Sequence, residues 1–257
     1  MGGKLYIPPP MDYLGFSFAI LIGVSLGLLG GGGSILTVPV FVYVLGYGVK
    51  ESVAMSLVVV GLTSAYGASG HWRRGNVNLH TAVIFAPATM LASLAGAEVA
   101  LHVSARLQLA VFGGVMFLAA LFMFVGQGLM ARAHGTGRKA LPLIAVIGTA
   151  VGFLTGLVGV GGGLLFVPAL VLLGGLRMKE AVGTSLLLIA FSCASSFLHY
   201  LGQVPMDWPA MGLFTALAFI GVMLGTAFGK HVSHVGLRRT FAVFLVLMGT
   251  FVLIKGR

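Results

Sequence analysis

Residues 30–39, with the sequence GGGGSILTVP, decide how the rest of this chain is organised, because the pattern returns as GVGGGLLFVP at residues 159–168. The two stretches lie 129 positions apart, and at that offset residues 23–57 match residues 152–186 at 16 of 35 positions without a gap. The matches include glycines, a proline and a Lys-Glu pair, which apolar composition alone does not explain. The pattern predicts a duplicated unit with a glycine-rich interruption in each half.

The composition places the chain in a lipid bilayer. Of its 257 residues, 58% are hydrophobic and only 8% are charged, and the uncharged runs are as long as membrane spans. These runs lack the alternating pattern of barrel strands, so we expect an all-α polytopic membrane protein. The net charge of +10 comes from Lys and Arg in short connectors between apolar runs. This distribution indicates membrane topology, and we expect no nucleic-acid partner.

The glycine-rich interruptions fall within two uncharged segments of 37 residues, 13–49 and 140–176. As continuous helix each would be about 55 Å long, too long to cross a core of about 30 Å once and slightly short for two crossings with a turn. A helix that enters, breaks at the glycines and returns as a shorter helix fits best, either as a re-entrant hairpin or as two short spans. Three ordinary transmembrane helices follow each segment. The predicted units are a first repeat (13–128), a basic cytoplasmic linker (129–139) and a second repeat (140–254).

The positive-inside rule distinguishes two topologies for the repeats. If each broken segment starts and ends on one face, the two halves have inverted topology and the fifteen Lys and Arg divide 10 to 5 between the faces. If each segment crosses once, the repeats are parallel and the same charges divide 8 to 7. The larger imbalance favours two inverted-topology repeats. The ten residues on the richer, cytoplasmic face would be Arg73, Arg74, Arg132, Arg138, Lys139, Arg177, Lys179, Lys230, Arg238 and Arg239.

The glycine-rich breaks are the strongest candidates for a binding site, because exposed backbone at membrane depth is tolerated only where protein or a water-lined cavity satisfies it. A helix that begins just after Gly33, and a second one after Gly162, would direct free amides and a positive dipole end at an anion. Pro39 and Pro168, which lack a backbone donor, are assigned to the same helix breaks. Two such ends from inverted repeats could converge on one anion near the midplane. The predicted substrate-binding residues of the breaks are Gly30, Gly31, Gly32, Gly33, Ser34, Gly159, Gly161, Gly162 and Gly163.

The glycines also have a second interpretation, because small residues four positions apart let helices pack closely. We expect this packing role for Gly23, Gly27, Gly152 and Gly156, which precede the breaks. For the consecutive glycines we expect a true break, since a glycine run followed by proline is a poor helix former.

Hydroxyl groups are the obvious side-chain partners for an oxyanion. Ser56 and Ser185 coincide in the repeat and Thr184 precedes Ser185, so these three residues complete the predicted substrate-binding set. The alternative for each is a hydrogen bond to a carbonyl of the preceding helical turn. The remaining candidate hydroxyls are Thr37, Thr63, Ser64, Ser192 and Ser195.

Ionisable residues within the spans are few. His71 and His199 occupy near-equivalent span ends and could gate the path or relay protons, but interfacial hydrogen bonding is the preferred interpretation. Glu98 and Asp207 lie at the ends of apolar runs, where we expect an interfacial role. The chain has neither a complete phosphate-binding loop nor a Cys and His cluster with zinc spacing. We therefore expect no enzymatic activity, no metal site and no cofactor.

The doubled motif is similar to that of the sulfite exporter TauE/SafE family of membrane transporters. The resemblance rests on GLLGGGGSILTVPVF at residues 27–41, GLVGVGGGLLFVPAL at 156–170, and AVGTSL at 181–186 with its counterpart VAMSL at 53–57. It implies a multi-pass permease of the plasma or inner membrane that moves sulfur-containing anions such as sulfite, sulfoacetate or other organosulfonates, generally outward. The periodicity of the sequence shows neither sulfur nor a direction of transport.

The leading expectation is a secondary transporter, and in particular an exporter, of small sulfur-containing oxyanions. A midplane site between the repeats would open alternately to the two sides of the membrane. The expected partners are the small anion and the lipid bilayer. A passive anion channel could use the same site. A permease for a cation or a neutral metabolite would use carbonyls at the break instead of amides. The oligomeric state stays open, with a homodimer as one option.

Overall fold

The computed structural model describes residues 10–29, 32–132, 141–159, 163–172, 174–228 and 234–255. Nearly all of these residues are helical, so the all-α prediction is confirmed. Within these described ranges, five helices, α3, α4, α5, α8 and α9, are long and apolar enough to cross a membrane. The elements are α1 (Pro10–Leu29), a 3-10 turn (Gly32–Leu36), α2 (Thr37–Pro39), a π turn (Val40–Val44), α3 (Val49–Arg73), α4 (Leu79–His102), α5 (Ala105–Arg132), α6 (Leu141–Val158), α7 (Gly163–Leu172), α8 (Met178–Tyr200), α9 (Trp208–Phe228) and α10 (His234–Lys255).

Local sequence signals set several helix starts. The Asn78 side chain accepts a hydrogen bond from the Thr81 amide at 2.9 Å and so caps α4. The Glu180 carboxylate accepts a hydrogen bond from the backbone amide of Arg177 at 3.4 Å and so caps the start of α8. Asp207 caps α9 as Asn78 caps α4, since its side chain accepts a hydrogen bond from the Ala210 amide at 3.0 Å.

Each predicted broken segment is a helix followed by a shorter segment. In the first repeat, residues 32–44 run back along α1, because Gly33 packs beside Ile22 while Leu45 packs beside Gly15. The predicted return is therefore present, although it changes from a 3-10 turn through α2 to a wider π turn. In the second repeat the corresponding element is α7, a regular helix of 10 residues and about 15 Å.

The prolines do not mark the two breaks as predicted. Pro168 lies inside α7, which begins five residues earlier at Gly163, so its assignment as a helix break is wrong. A proline in the second turn of a helix loses a single backbone hydrogen bond, and the helix continues. Pro39 is the last residue of α2 and precedes the π turn, so it marks a change of helix type within the return.

Glycine faces interlock the two repeats. α1 packs against α9 and α6 packs against α4, and the contacts advance in the same direction along both helices of each pair. A Cβ atom on Gly27 would lie 2.6 Å from the Val222 carbonyl oxygen, and one on Gly152 would lie 2.6 Å from a carbonyl oxygen of α4. A Cβ atom on Gly23 or Gly156 would overlap a backbone oxygen of the partner helix. The packing role predicted for these four glycines is confirmed.

The equivalent helices α3 and α8 pack antiparallel to each other. Gly61 lies against Cys193 and Gly67 lies against Leu186, so residue numbers fall along α8 as they rise along α3. A two-fold axis in the membrane plane produces such an antiparallel pair from equivalent helices. This geometry supports the inverted arrangement that the charges favour, which stays a prediction.

The connectors bring charged residues together at the two ends of the bundle. Lys50, at the start of α3, donates to a backbone carbonyl at the end of α4. At the opposite end, the connector that follows Arg73 packs against the first turns of α8, which begins after Arg177. Both groupings agree with the predicted faces. In the predicted linker, residues 129–132 continue α5, and residues 133–139 lie outside the described part of the chain.

Candidate functional site

The first break ends in a tight turn against α1. Gly30 and Gly31 lie outside the described residues, and Gly32 begins the 3-10 turn. A Cβ atom on Gly33 would lie 2.6 Å from a backbone nitrogen of α1, so close packing requires glycine at this position. Ser34 is buried. The helix start predicted just after Gly33 is therefore replaced by a 3-10 turn that already includes it.

The second break joins two regular helices. α6 ends just before Gly159, which has a φ of +73° and donates its N–H to the Thr155 carbonyl at 2.9 Å. This left-handed conformation is the usual way a glycine ends a helix. Gly161 and Gly162 lie outside the described residues, and α7 begins at Gly163, as predicted. The first amides of α7 have no partner within their own helix, so its positive end is directed at the break.

Side chains cap the carbonyl end of α6 at the same break. The Tyr200 hydroxyl donates to the Gly156 carbonyl at 3.3 Å. The Gln108 carboxamide donates to the Leu157 carbonyl at 2.7 Å. The Ser56 hydroxyl donates to the Gly159 carbonyl at 2.9 Å. Ser56 and Gln108 come from the first repeat, so the break of the second repeat is completed by residues of the other half.

Gln108 is the functional residue that sequence analysis missed. It is 1% exposed, within the predicted apolar span of α5. A carboxamide buried among apolar residues needs a hydrogen-bond partner, and this signal could have singled it out. Its partner, a carbonyl 49 residues further along the chain, could not be found without the fold.

Replacement of Gln108 by leucine is expected to destabilise the second break, because it removes the donor to a buried carbonyl. The loss should be about 1–3 kcal/mol of unfolding free energy, measured as a fall in the thermal unfolding midpoint of purified protein in detergent. Gln203, which is exposed in the connector before α9, offers a matched control as Gln203→Leu. Equal midpoints for the two variants would contradict a capping role for Gln108.

The predicted hydroxyl ligands already have hydrogen-bond partners. The single proton of the Ser56 hydroxyl faces the Val53 carbonyl at 2.7 Å as well as the Gly159 carbonyl. The Ser185 hydroxyl donates to the carbonyl three residues before it at 2.9 Å, which is the predicted alternative. Thr184 accepts a hydrogen bond from the Asn78 amide at 2.9 Å and so attaches α8 to the start of α4.

The structure does not bring Ser56 and Ser185 to one point. Ser185 adjoins Leu186, which packs against Gly67 of α3, whereas Ser56 lies eleven residues earlier than Gly67 on α3. Eleven residues correspond to about 16 Å along a helix. The two serines therefore lie towards opposite ends of the α3 and α8 pair, each near one face of the bundle, and a single site cannot hold both.

Three fully buried hydroxyls, by contrast, have no hydrogen-bond partner among the described residues. They are Thr37 in α2, Ser64 in the middle of α3 and Ser192 in α8. Burial of a hydroxyl without a partner is costly, and most buried polar groups in proteins are satisfied. These hydroxyls can donate to a ligand without breaking an existing bond, which Ser56 and Ser185 cannot.

The two histidines lie at opposite ends of the bundle. The Nε2 atom of His199 is 2.6 Å from a carboxylate oxygen of Glu98, an ion-pair distance without the alignment of a hydrogen bond. Glu98 is half exposed and also lies 3.5 Å from the Nδ1 atom of His102, in agreement with the interfacial role expected of it. His71 packs against Gly183 at the other end, and its Nδ1 atom is buried without a partner among the described residues. Gating or proton relay by these histidines stays a prediction.

The fold and the breaks define a class of protein. Five candidate spans, further apolar helices and two equivalent broken segments form a multi-pass membrane protein of the kind that carries solutes between inverted or parallel repeats.

Comparison with known proteins identifies the family. The sulfite exporter TauE/SafE family matches residues 15–252. A "probable membrane transporter protein" of Xylella fastidiosa strain Temecula1 is 30% identical over 239 residues, which cover 91% of each chain. Proteins described in the same words from Bacillus subtilis (23% identical over 216 residues, 83% of this chain and 85% of the relative) and Methanocaldococcus jannaschii (26% over 263 residues, 91% and 94%) are also similar. No solved structure matches the chain. The chain belongs to the sulfite exporter TauE/SafE family and is a membrane transporter.

Proposed function

We propose that this transporter exports small sulfur-containing oxyanions, such as sulfite or an organosulfonate, across the plasma or inner membrane by alternating access. The family name motivates sulfur, and the break in the second repeat motivates an anion. One observation carries the proposal: at that break the carbonyl end of α6 is occupied by protein donors, and α7 begins four residues after Gly159 with its amide end towards the break.

The capped carbonyls distinguish the anion from its main rival. A permease for a cation would use the carbonyls at the end of a broken helix as ligands. Here three carbonyls at the end of α6 already accept bonds from Tyr200, Gln108 and Ser56. A cation would have to compete with these donors, whereas an anion would meet the first amides and the positive dipole end of α7. The arrangement therefore favours a negatively charged substrate.

The distribution of charge suggests the direction. Ten of the fifteen basic residues fall on the predicted cytoplasmic face. Arg73 ends α3, Arg74 follows it and Lys179 lies in the first turn of α8, all at this end of the bundle and all exposed. A positive surface raises the local concentration of anions and speeds their capture. Capture from the cytoplasmic side fits export.

Reconstituted protein tests this proposal. Proteoliposomes loaded with radiolabelled sulfite or sulfoacetate should release it at a rate that saturates with concentration, and unlabelled substrate on the other side should accelerate the exchange. Sulfate and chloride serve as competing anions, and sodium and a neutral sugar as the cation and neutral controls. Flux that never saturates and shows no counterflow would indicate a channel instead. Well-folded protein that moves none of the anions would overturn the proposal.

A further inference from the structure

The interface between α4 and α8 is held by hydrogen bonds from serine hydroxyls to backbone carbonyls. The single proton of the Ser93 hydroxyl faces the Ser192 carbonyl of α8 at 3.0 Å as well as the Met90 carbonyl of its own helix at 2.9 Å. Ser196 donates back to the Ser93 carbonyl at 3.1 Å. Ser195 donates to the Met90 carbonyl at 3.1 Å. All four serines are at most 5% exposed. We call this set the serine seam.

Polar contacts at both ends extend the seam over the length of the two helices. Near one face, the backbone amide of Asn78, the residue that caps α4, donates to Thr184 of α8 at 2.9 Å. Near the other face, Glu98 of α4 lies 2.6 Å from His199 of α8. If the helices slid past each other, buried donors and acceptors would lose their partners in a setting without water to replace them. The seam therefore opposes relative movement of α4 and α8.

Because the chain is duplicated, the interface between α9 and α3 is equivalent to the one between α4 and α8. It lacks the serines of the seam. At the offset of 129, Ser93 corresponds to Val222, Ser195 to Tyr66 and Ser196 to Gly67. At the start of this interface the Tyr47 hydroxyl, just before α3, donates to the Asp207 carboxylate that caps α9 at 2.9 Å. Further along, where the seam has its serines, the rings of Tyr66 and Phe219 meet edge to face with centroids 5.4 Å apart. Contacts between apolar side chains can slide without leaving a polar group unpaired.

The helix α9 carries α1 with it. Gly23 and Gly27 of α1 pack directly on the backbone of α9, and Gly221 and Gly225 of α9 pack directly on the backbone of α1. Such close backbone contact on both sides makes the two helices one rigid unit. A change at the apolar interface between α9 and α3 would therefore move α1 and α9 together.

We propose that the serine seam stays closed during transport, and that the pair formed by α1 and α9 moves against α3 to alternate access. This inference rests on the proposed transport function for its role, but it concerns the motion alone. Duplication supplied two equivalent interfaces, and the serines fixed one of them. The two equivalent interfaces are thus mechanically unequal despite their shared ancestry.

Thiol cross-linking tests the assignment in a Cys193→Ala background, since Cys193 is the only cysteine of the chain. One variant adds Ser93→Cys and Ser196→Cys across the seam, and the other adds Tyr66→Cys and Phe219→Cys across the apolar interface. Short bifunctional thiol reagents are applied to each in proteoliposomes. Cross-linking of the apolar interface should reduce sulfite flux at least tenfold and reversibly with a cleavable linker, while cross-linking of the seam should leave it within twofold. The opposite pattern, or equal inhibition, would overturn the proposal.

Spin labels at the same two pairs keep the test independent of substrate identity. The distance across the apolar interface should be distributed over two or more values, and the distance across the seam should show a single narrow value. If sulfite and the organosulfonates are not transported but these distributions are found, the proposed substrate fails and the motion stands. A single narrow distance at both interfaces, with or without anions, would overturn the motion itself.

Discussion

Substitution of Gly156 by valine is expected to lower the yield of folded protein at least tenfold. Gly156 lies where α6 crosses α4, and a Cβ atom there would overlap the Ser93 carbonyl oxygen and lie 2.8 Å from the Ala97 nitrogen. Both obstacles are backbone atoms, so no side-chain rotation can relieve the overlap and the helices must separate. Separation would also pull Ser93 away from its partners on α8.

The measurement is the amount of monodisperse protein recovered from membranes by size-exclusion chromatography. Gly114 of α5 and Gly212 of α9 are matched controls, because a Cβ atom at either position would meet nothing within 4 Å. Gly114→Val and Gly212→Val should therefore be recovered in nearly normal amounts, apart from a small loss of helix propensity. Comparable losses for all three variants would show that the α4 and α6 contact is not the cause.

Membrane potential is expected to change the steady-state gradient of a monovalent substrate by roughly 40-fold per 100 mV, because each charge gains about 2.3 kcal/mol. The reason is that the broken segments 13–49 and 140–176 contain no Asp, Glu, Lys, Arg or His. Among the described spans, the charged side chains lie within a few residues of the helix ends. An anion in the middle would be balanced by hydroxyls and helix dipoles, which carry no net charge across, so its own charge moves.

Proteoliposomes clamped with a potassium gradient and valinomycin measure this effect for a monovalent organosulfonate. An inside-negative potential should drive the anion out of the vesicle interior and reversal of the gradient should draw it in. Glu98→Gln, which removes the carboxylate between His102 and His199, serves as the comparison and should keep the voltage dependence. Insensitivity to potential in the parent protein would mean that a counter-charge travels with the anion. If the parent were insensitive and Glu98→Gln were voltage-dependent, that counter-charge would be carried at Glu98.

Much of the fold could be predicted because its signals are periodic or repeated. The long apolar runs predict the helices. The repeat at an offset of 129 predicts which helices of the two halves are equivalent, and it can be detected in the sequence alone. Gly23, Gly27, Gly152 and Gly156 could be assigned to packing because a spacing of four residues places them on one helix face. The backbone atoms that they contact confirm this assignment.

The hydrogen-bond partners at the candidate site could not be predicted, because they depend on tertiary contacts. Ser56 coincides with Ser185 in the repeat, yet only Ser56 reaches a carbonyl of the other half. Equivalent residues of the two repeats occupy equivalent positions in their helices. The residue that packs against each position decides which carbonyl its hydroxyl reaches. Pro168 was misjudged for a related reason: its cost depends on its distance from the helix start, and that start is set by the glycines.

The interlocked glycine faces impose an order on how the chain is made. Gly96 meets the region of Gly152 and Gly156 about 60 residues after its own synthesis, whereas Gly23 waits for Gly221, which follows 198 residues later. At roughly 5–20 residues per second, α4 finds α6 within about 3–12 s, but α1 waits about 10–40 s for α9. During that wait the glycine face of α1 lacks the helix that covers it in the finished fold. A ribosome that stops after the second broken segment would therefore leave α1 without α9.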